Sequence, residues 1–368
     1  MRVLGLECYM GGSHKAFLNG WTRLSCHDWT ILSLPATKWK WRMRHGAITF
    51  ARQVDRLVAE GHRWDALFCS DMLNLAEFLG LVDKTIRNLP KVIYFHENQL
   101  TYPVRVESER DYQYAMTNLT GALAADSVWF NSAFHRDEFL DALSVFLKRM
   151  PDYQPLDAVD MIRGKSVVHP PAIDMFGRRR PEAKTKKPLS ILWAARWEHD
   201  KNPDDFFAAM KMLKDKGHSF RLSVIGEQFR DQPEVFDRAK EFFAEHIDRW
   251  GYQKDRHDYR AALSEADIFV STANHEFFGI SAIEAIAAGA HPVLPRRLAY
   301  PEIIDSIAPS RADELFYDGT VDGLVDKLAT LLASGNIPRH DDMIANTQQR
   351  YAWQERAELM DKALEEMC

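Results

Sequence analysis

Residues 273–294 read ANHEFFGISAIEAIAAGAHPVL, and they contain the strand–turn–helix–strand unit that decides the fold class. A predicted strand, Asp267–Val270, precedes the stretch, Gly279 begins a helix, and Gly289 can end that helix in a left-handed cap. The apolar run Pro292–Leu294 is then the next strand. Short β-forming runs alternate with amphipathic stretches in this way along the chain, which is typical of α/β proteins with parallel sheets.

The β-forming runs fall into two series, which predict two domains. The first series is Val3–Leu6, Thr30–Leu34, Ala66–Cys69, Val92–Phe95, Val128–Phe130 and Val167–Val168, and the second is Ser190–Ala194, Arg221–Ile225, Ile268–Val270 and Pro292–Leu294. Between them, Asp174–Pro188 is too polar and charged to join a core. We therefore expect an N-terminal domain at 1–174, a linker at 175–188, a second domain at 189–342 and a C-terminal helix at 343–368.

The composition indicates an ordinary globular chain. With 368 residues, 46% of them hydrophobic, the chain is long enough for two cores. No stretch approaches the roughly 18 apolar residues of a membrane helix, and Glu7 occurs too early for a signal peptide, so we expect a cytoplasmic protein with no membrane association. The four cysteines form no Cys-x-x-Cys pair, and a net charge of -6 argues against nonspecific nucleic-acid coating.

The Gly279 turn has the features of a phosphate site. The amides of Phe278, Gly279 and Ile280 would point from a helix N-terminus toward an anion, and glycine lets a phosphate approach closely. Glu276 and Glu284 lie on the loop and on the helix behind it, where carboxylates can accept hydrogen bonds from sugar hydroxyls. The pattern predicts a phosphate site flanked by hydroxyl-binding groups, although a glutamate on a helix is more often a solvated surface residue.

Two cations follow the first strand of the second series. Arg196 can bind phosphate oxygens through its planar guanidinium, and Lys201 adds a mobile point charge. Both come after the carboxyl end of a strand, where open α/β sheets bind ligands. The Arg196–Lys201 motif and the Gly279 turn are each weak evidence for a phosphate site, but their occurrence in this order along the chain is strong evidence.

That order resembles the donor domain of retaining glycosyltransferases of family 4. The resemblance implies the GT-B architecture, which has two Rossmann-like domains with parallel sheets facing a central cleft, and a C-terminal helix that crosses back to the N-terminal domain. It also implies that Arg196 and Lys201 neutralise the donor diphosphate, that Glu276 contacts donor-sugar hydroxyls, and that Glu284 holds the ribose. Ala195 and Asn202 stand where the family usually has glycine. No Asp-x-Asp occurs in the chain, so we expect no metal and no cofactor.

Two segments that follow strands of the first series are candidates for binding the acceptor. The turn GGSHK, residues 11–15, would by itself be a tight turn, but in the resembled fold Gly12 lets the backbone approach the diphosphate, with Lys15 nearby. The segment ATKWKWRMRH, residues 36–45, interleaves cations with aromatic rings, which suits phosphates and splayed bases of RNA. On chemistry alone, an equally good reading packs the two tryptophans into the core. The RNA-binding prediction rests on Trp39, Trp41, Arg42 and Arg44.

Polar residues at the ends of predicted strands complete the acceptor side. His96, at the end of the fourth strand, can hydrogen-bond an acceptor or the reacting sugar, and Glu97 can orient it. A purely structural His–Glu pair is the alternative. Asp71 and Asn131 end neighbouring strands, and Asn98 follows Glu97, so these residues are also predicted to bind the acceptor. His96, Arg196, Lys201 and Glu276 are the predicted catalytic residues.

The first 175 residues resemble a more specific family, the tRNA-queuosine α-mannosyltransferases. The motifs that carry this resemblance are GGSHK (11–15), LPATKWKWR (34–42), SDMLN (70–74), FHENQL (95–100), RDYQY (110–114) and FNS (130–132). The resemblance implies transfer of mannose, with retention of configuration, from GDP-mannose to a cyclopentene hydroxyl of queuosine in the anticodon of tRNA-Asp. It implies GDP-mannose and this tRNA as partners, and the sequence indicates no obligate protein partner.

Three other functions remain compatible with the sequence. A glycosyltransferase of the same fold acting on a lipid or small molecule would keep the donor residues without needing the tryptophan-rich segment. A non-catalytic RNA-binding protein on this fold is disfavoured by the intact donor residues. A nucleotide-sugar epimerase would turn over the donor without an acceptor.

Overall fold

The computed structural model describes residues 1–104, 110–175, 188–229, 232–338 and 340–368. These residues form two compact domains, the first consisting of Met1–Ala172 together with Trp353–Cys368, and the second of Ile173–Ala352. The linker predicted at 175–188, including its basic residues Arg178 to Arg180, lies almost entirely outside the described residues.

The first domain contains a parallel six-stranded sheet in the order β2-β1-β3-β4-β5-β6. Its strands are β1 (Arg2–Met10), β2 (Asp28–Pro35), β3 (Ala66–Ser70), β4 (Lys91–Phe95), β5 (Ser127–Phe130) and β6 (Ser166–Val168). Its helices include α1 (Gly12–Leu24), α2 (Trp39–Ala59), α3 (Leu75–Leu81), α4 (Lys84–Arg87), α5 (Tyr112–Ala124), α6 (Ala133–Leu147) and α7 (Asp157–Arg163). Each predicted strand of the first series is present, because these apolar runs are buried between two layers of helices.

The second domain contains a parallel six-stranded sheet in the order β12-β11-β10-β7-β8-β9. Its strands are β7 (Leu189–Ala194), β8 (Phe220–Ile225), β9 (Ile247–Gly251), β10 (Ile268–Val270), β11 (His291–Pro295) and β12 (Phe316–Tyr317). Its helices include α8 (Pro203–Asp215), α9 (Val235–Phe242), α10 (Arg256–Glu265), α11 (Ile280–Ala288), α12 (Tyr300–Ile307), α13 (Ala312–Leu315), α14 (Val321–Ser334) and α15 (Asp341–Tyr351). The sequence did not predict the two edge strands, β9 and β12.

The unit around residues 273–294 folds as predicted. Helix α11 begins after Gly279 and ends before Gly289, and both glycines have left-handed backbones, with φ of 98° and 97°. Both conformations are costly for residues with a Cβ. The helix is apolar around most of its circumference because the second core surrounds it.

The C-terminal stretch predicted as one helix at 343–368 is two helices in the structure. Helix α15 ends at Tyr351, Ala352 is extended, and α16 (Trp353–Glu365) follows. Tyr351 is buried in the core of the second domain, whereas Trp353 is buried in the core of the first. The chain has to change direction between them, because one straight helix could not direct these side chains into separate cores.

Helix α16 is an integral part of the first domain, which confirms the predicted return of the C-terminal helix. A Cβ at Gly20 of α1 would lie 2.1 Å from the Trp353 ring, so only glycine allows this close packing. The Trp21 indole N–H donates to the Asp361 carboxylate at 2.7 Å, and so does the Cys26 amide, also at 2.7 Å.

No helix in the described part of the chain is both long and apolar enough to span a membrane.

Candidate functional site

The residues predicted to bind the donor lie at the carboxyl ends of β7 and β10. These two strands are neighbours, and the strand order reverses between them, since the chain runs from β7 outward to β9 and then returns to β10. Loops diverge at such a reversal and leave space for a ligand. A small cavity at this position is lined by Lys201, Glu276, Ser281 and Tyr300, among others.

Lys201 is the buried charge of this group. Its ammonium donates to the His275 carbonyl at 2.7 Å and lies 3.0 Å from Asp200 Oδ2 and 3.3 Å from Glu276 Oε2. Burial opposes the charge, but Glu276 and Asp200 outweigh burial and raise the pKa of Lys201. The structure thus brings together Lys201 and Glu276, two of the predicted catalytic residues, with Lys201 held as a cation.

Arg196 lies on the turn after β7 and is more exposed than Lys201. Its guanidinium lies 3.1 Å from Glu198 Oε2, a contact that sequence reasoning did not predict. The turn itself is tightly packed, since a Cβ at Gly226 would lie 1.7 Å from the Ala195 carbonyl oxygen. The side chain of Ala195 therefore fits in this turn. The residue that has to be glycine is Gly226, which follows β8 and packs against the Ala195 carbonyl.

Asn202 occupies the second position where the family usually has glycine. Its backbone is left-handed, with φ 52° and ψ 56°, and asparagine tolerates this conformation better than most residues. Its side chain also caps α8 by accepting a hydrogen bond from the Asp205 amide. The loop therefore keeps a glycine-like path without glycine.

The N-terminus of α11 has the predicted form. Its first turn has no acidic residue and Gly279 offers no capping side chain, so the first amides of the helix have no partner within it. A Cβ on Gly279 would lie 2.9 Å from the Tyr300 ring, whose hydroxyl is 2.7 Å from Ser271 Oγ. Phe278 is buried, so it and Ile280 contribute their backbone amides rather than their side chains to the predicted phosphate site.

Glu284 has a partner that sequence reasoning missed. The Tyr259 hydroxyl, from α10, donates to Glu284 Oε2 at 2.5 Å. Burial raises the pKa of Glu284, although this hydrogen bond and the charges of Arg256 and Arg260 oppose the shift. No motif joins Tyr259 to Glu284, since they are 25 residues apart on different helices.

In the first domain, His96 follows β4 and is held through its backbone. Its amide donates to Asp71 Oδ1 at 2.9 Å, and its carbonyl accepts a hydrogen bond from Asn131 Nδ2 at 2.9 Å. Neither ring nitrogen of His96 forms a hydrogen bond with the residues that the structure describes. The half-buried ring is thus oriented by the main chain while its nitrogens stay available.

Three residues predicted to contact the acceptor have a different place in the structure. Asp71 is 0% exposed and orients His96, Asn131 does the same from β5, and Asn98 is fully buried within its own turn. Asn98 Oδ1 accepts hydrogen bonds from the amides of Leu100 and Thr101. These side chains thus have protein partners, whereas Asp71 Oδ2 has no hydrogen-bond partner among the described residues, and their contact with the acceptor stays a prediction. Glu97 is half-buried and accepts a hydrogen bond from Gln99 at 3.0 Å.

Glu7 and His14 are buried beside His96, and the sequence did not single out either one. His14 Nδ1 lies 3.2 Å from Glu7 Oε2, and its ring stacks on the His96 ring with centroids 4.0 Å apart. Burial alone would lower the pKa of His14, but the charge and hydrogen bond of Glu7 raise it to about 9. The signal that could have found the pair is an acidic residue inside an otherwise apolar strand.

Among the residues that the structure describes, two groups of side chains have possible metal-ligand atoms within 4.8 Å of one another: Glu7, His14 and His96, and Cys26, His27 and Glu365. In the first group the imidazole rings face each other at 33°. His14 is paired with Glu7 at 3.2 Å and lies against the His96 ring, so the contacts of this group are those of an ion pair against a second ring. The second group contains none of the predicted site residues.

The tryptophan-rich segment forms the start of α2, and its residues divide between core and surface. Trp39 packs against Tyr114 at a centroid distance of 5.1 Å, whereas Trp41 is 60% exposed. Arg42 donates to the Pro35 carbonyl at 3.0 Å, and the Arg44 guanidinium lies over the Tyr114 ring at 4.8 Å. Trp39 therefore follows the core alternative, and Trp41 is the ring left at the surface.

The GGSHK turn places its two predicted residues at the surface. Gly12 has a left-handed backbone with φ of 50°, and a Cβ there would meet no atom within 4 Å, so the backbone is open to a ligand. Lys15 is exposed on the first turn of α1.

Comparison with known proteins matches the two domains to two family models. Residues 2–173 match the model described as tRNA-queuosine alpha-mannosyltransferase N-terminal, and residues 176–350 match glycosyl transferases group 1. The chain is 37% identical over 311 residues to the tRNA-queuosine alpha-mannosyltransferase of Drosophila melanogaster, which covers 82% of this chain and 81% of that protein. It is 28% identical over 269 residues to a GDP-mannose-dependent alpha-(1-6)-phosphatidylinositol dimannoside mannosyltransferase of Mycobacterium tuberculosis, covering 70% and 64%.

Solved structures show the same fold. Sucrose-phosphate synthase from Thermosynechococcus elongatus superposes with a TM-score of 0.70 at 13% identity, covering 100% of this chain and 99% of that chain. The lipopolysaccharide outer core galactosyltransferase WaaB superposes with a TM-score of 0.66 at 13% identity, covering 100% of both chains. These are GT-B glycosyltransferases, which confirms the predicted architecture of two α/β domains. The chain is a glycosyltransferase and belongs to the tRNA-queuosine alpha-mannosyltransferase family.

Proposed function

We propose that this enzyme transfers mannose, with retention of configuration, from GDP-mannose to a cyclopentene hydroxyl of queuosine in the anticodon of tRNA-Asp. The observation that carries the proposal is the family match over residues 2–173, since this domain holds His96 with its ring nitrogens available. The 37% identity to a tRNA-queuosine alpha-mannosyltransferase supports the same acceptor. The proposal places the enzyme with its tRNA in the cytoplasm.

The donor proposal assigns the nucleotide sugar to the second domain. Arg196 and Lys201 bind the diphosphate together with the first amides of α11, Glu276 binds hydroxyls of the mannose, and Glu284 binds the ribose. Lys201 suits its role because Glu276 and Asp200 hold it charged in a half-enclosed site. Both relatives named above are mannosyltransferases, and the name of the mycobacterial one gives GDP-mannose as its donor.

The chemistry that we propose needs no nucleophile from the enzyme. As the bond between mannose and diphosphate breaks, negative charge grows on the leaving phosphate, and Arg196, Lys201 and the α11 amides stabilise it. The departing phosphate oxygen accepts the proton of the queuosine hydroxyl. His96 hydrogen-bonds this hydroxyl and orients it for attack on the anomeric carbon.

The tRNA proposal rests on the exposed part of α2. Trp41 is available to stack on an unpaired base, and Lys15, Arg42 and Arg44 add positive charge.

Because protein cations can serve the diphosphate, we also propose that transfer requires no metal. Equal rates with and without EDTA, after passage over a chelating resin, would support this, and rescue by added Mg²⁺ or Mn²⁺ would contradict it.

The test is transfer of radiolabelled mannose from GDP-mannose to purified tRNA. We expect labelling of queuosine-containing tRNA-Asp and none of the same tRNA carrying guanosine at that position. Glu276→Gln should abolish labelling, whereas the matched control Glu265→Gln, at an exposed position of α10, should not. Labelling of tRNA that lacks queuosine, or none with any tRNA, would overturn the proposal.

A lipid acceptor is the second candidate, and the mycobacterial relative favours it because its name specifies a phosphatidylinositol mannoside acceptor. The same assay with phosphatidylinositol-containing vesicles distinguishes the two. Label in the lipid fraction, unaffected by Trp41→Ala, would support the lipid acceptor over tRNA.

A further inference from the structure

The Glu7–His14 pair is a buried feature that the proposed function does not use. Glu7 lies in β1 and His14 in the first turn of α1, and both side chains are almost fully buried. The Glu7 carboxylate accepts hydrogen bonds from the Tyr9 amide at 2.7 Å and from Ser70 Oγ at 3.0 Å, in addition to its contact with His14. Three donors thus fix this carboxylate, and a fixed carboxylate holds the His14 ring in place.

His14 and His96 form a close ring contact. Their centroids are 4.0 Å apart, and the His96 ring also contacts two aromatic rings, Tyr94 at 4.6 Å and the edge of Phe17 at 5.1 Å. Two positive charges at this separation repel strongly, because His14 is buried and His96 is half-buried, so that water screens them only in part. Only one of the two imidazoles can therefore carry a charge under ordinary conditions.

The surroundings determine which imidazole is charged. Glu7 raises the pKa of His14 to about 9. Burial, followed by the charges of His14 and His135, holds the pKa of His96 well below its ordinary value. The pair therefore consists of an imidazolium at position 14 and a neutral imidazole at position 96.

Other titratable groups also face His96 from the elements around it. Asp71 lies at the end of β3 and Glu97 in the loop after β4, and their negative charges would favour protonation of His96. For Asp71, burial weakens this effect, because it raises the pKa of the carboxyl well above its ordinary value and so favours the neutral form. His135, from α6, acts in the same direction as His14. Tyr94, from β4, is neutral because burial raises its pKa.

We propose that the Glu7–His14 ion pair keeps His96 uncharged, so that a ring nitrogen of His96 accepts a hydrogen bond from the acceptor hydroxyl as it binds, before that proton passes to the departing phosphate oxygen. An imidazolium has no lone pair and could only donate. This inference rests on the proposed function, in which His96 contacts the acceptor. Glu7 and His14 are then positioning residues, because they act on the substrate only through His96.

The direct test is NMR of the full-length protein labelled with ¹³C at histidine Cε1, with the His96 signal assigned by its loss in His96→Gln. In the wild type we expect the His96 signal to stay constant from pH 5.5 to 8. In His14→Gln, which removes the imidazolium, His96 should titrate within this range, at least one pH unit above its wild-type pKa. Glu7→Gln, which removes the anion that holds His14 charged, should shift His96 in the same direction.

Transfer kinetics give the second readout. We expect kcat/KM of His14→Gln to be within about threefold of wild type at pH 8 and to fall at least tenfold toward pH 5.5, whereas the wild-type value stays nearly level. A purely structural role would lower the rate by the same factor at every pH. His169→Gln is the matched control, because His169 is also buried with its ring against an aromatic ring, Trp129, at a centroid distance of 4.1 Å, and within the described residues its ring contacts neither histidine of this pair. Its pH profile should follow that of the wild type.

The outcomes separate this inference from the proposed function. A wild-type His96 that titrates near pH 6.5, or a His96 pKa that is the same in the wild type and both variants, would overturn the inference. If no preparation labels tRNA, the proposed function fails, while the NMR titration still decides the charge state of His96. If His14→Gln does not fold, Glu7→Gln provides the same comparison.

Discussion

The residues proposed to bind the donor, in the second domain, and those proposed to bind the acceptor, in the first, differ in how they hold charge. Around Lys201, one buried ammonium lies between two carboxylates near the half-exposed Arg196. Around His96, one imidazolium–carboxylate pair lies behind a neutral ring and a carboxyl whose ionisation burial opposes. The first group holds its ammonium charged between two carboxylates, whereas the second suppresses charge at the His96 ring.

This difference fits the chemistry of two ligands. A diphosphate brings negative charge, and cations held by weakly competing carboxylates can exchange partners when it arrives. A sugar-like hydroxyl is neutral, so its recognition depends on which partner donates and which accepts. We therefore expect transfer to depend on the charge of the donor residues at any pH. We expect the pH dependence of transfer to come from the protonation state of the acceptor residues.

Removing the Lys201 charge is the strongest way to test the donor half of this comparison. We expect Lys201→Met to lower kcat/KM about 10³-fold, since a group that stabilises developing charge contributes roughly 3 to 4 kcal/mol. The exposed Lys211 on α8, which pairs with Asp215 at 2.7 Å, gives the matched control Lys211→Met, with no expected effect. A loss of less than tenfold by Lys201→Met, measured on protein of unchanged melting temperature, would contradict the assignment.

The acceptor half of this comparison predicts that the free energy of unfolding of the protein depends on pH. Because the pKa of His14 is raised to about 9 in the folded protein, its contribution is fully present below about pH 6.5 and is lost as the pH rises through 9. The histidines whose pKa is lowered, such as His169, act below pH 6.5 instead. Urea unfolding should show a decline on the order of 3 kcal/mol between pH 6.5 and 9 that is specific to His14.

The control for this decline is His14→Gln under the same conditions. Its free energy of unfolding should be lower than that of the wild type at pH 6.5, and the gap should close by pH 9. A constant gap between the two proteins over this range would show that the imidazole is not charged.

Trp39 and Trp41 allow a smaller test of the division of α2 between core and surface. We expect Trp41→Ala to raise the KM for tRNA about tenfold with kcat and melting temperature unchanged, since stacking on a base contributes about 1 to 3 kcal/mol. Trp39→Ala should instead lower the melting temperature, because Trp39 packs against Tyr114. The interpretation fails if both variants change only stability.

Tyr259 gives the smallest expected effect. Tyr259→Phe removes one hydrogen bond to Glu284, and we expect about fivefold weaker binding of GDP-mannose in calorimetry, corresponding to about 1 kcal/mol. Tyr252→Phe is the control, since Tyr252 is exposed between β9 and α10. Unchanged donor affinity in Tyr259→Phe would show that Tyr259 does not support donor binding, and it would weaken the assignment of Glu284 to ribose binding.

The fold was largely predictable because strands buried on both sides are continuous apolar runs. The two missed strands have no such run. β9 reads IDRWG, and its Asp248 and Arg249 pair with Arg221 and Glu265 at the sheet edge. β12 has only two residues. Polar edge strands and very short strands give no periodic signal, so only their neighbours in space identify them.

The donor residues were more predictable than the acceptor residues for a physical reason. Lys201 and Glu276 belong to short loops that follow single strands, and their local pattern is visible in the chain. The environment of His96 comes instead from β1, α1, the end of β3 and α6, which contribute Glu7, His14, Asp71 and His135. Burial decides whether Asp71 contacts a ligand or supports His96, and burial is a property of the assembled sheet.

The return of α16 to the first domain has a consequence for truncated chains. All residues of the second domain lie between Ile173 and Ala352, so one continuous segment supplies its whole core. The first domain lacks Trp353 and Asp361 until residues 353–368 have been made, although its other residues precede the second domain. A chain that stops before Trp353 would therefore leave Gly20 and Trp21 without their packing and hydrogen-bond partners, while the second domain would keep every residue of its core.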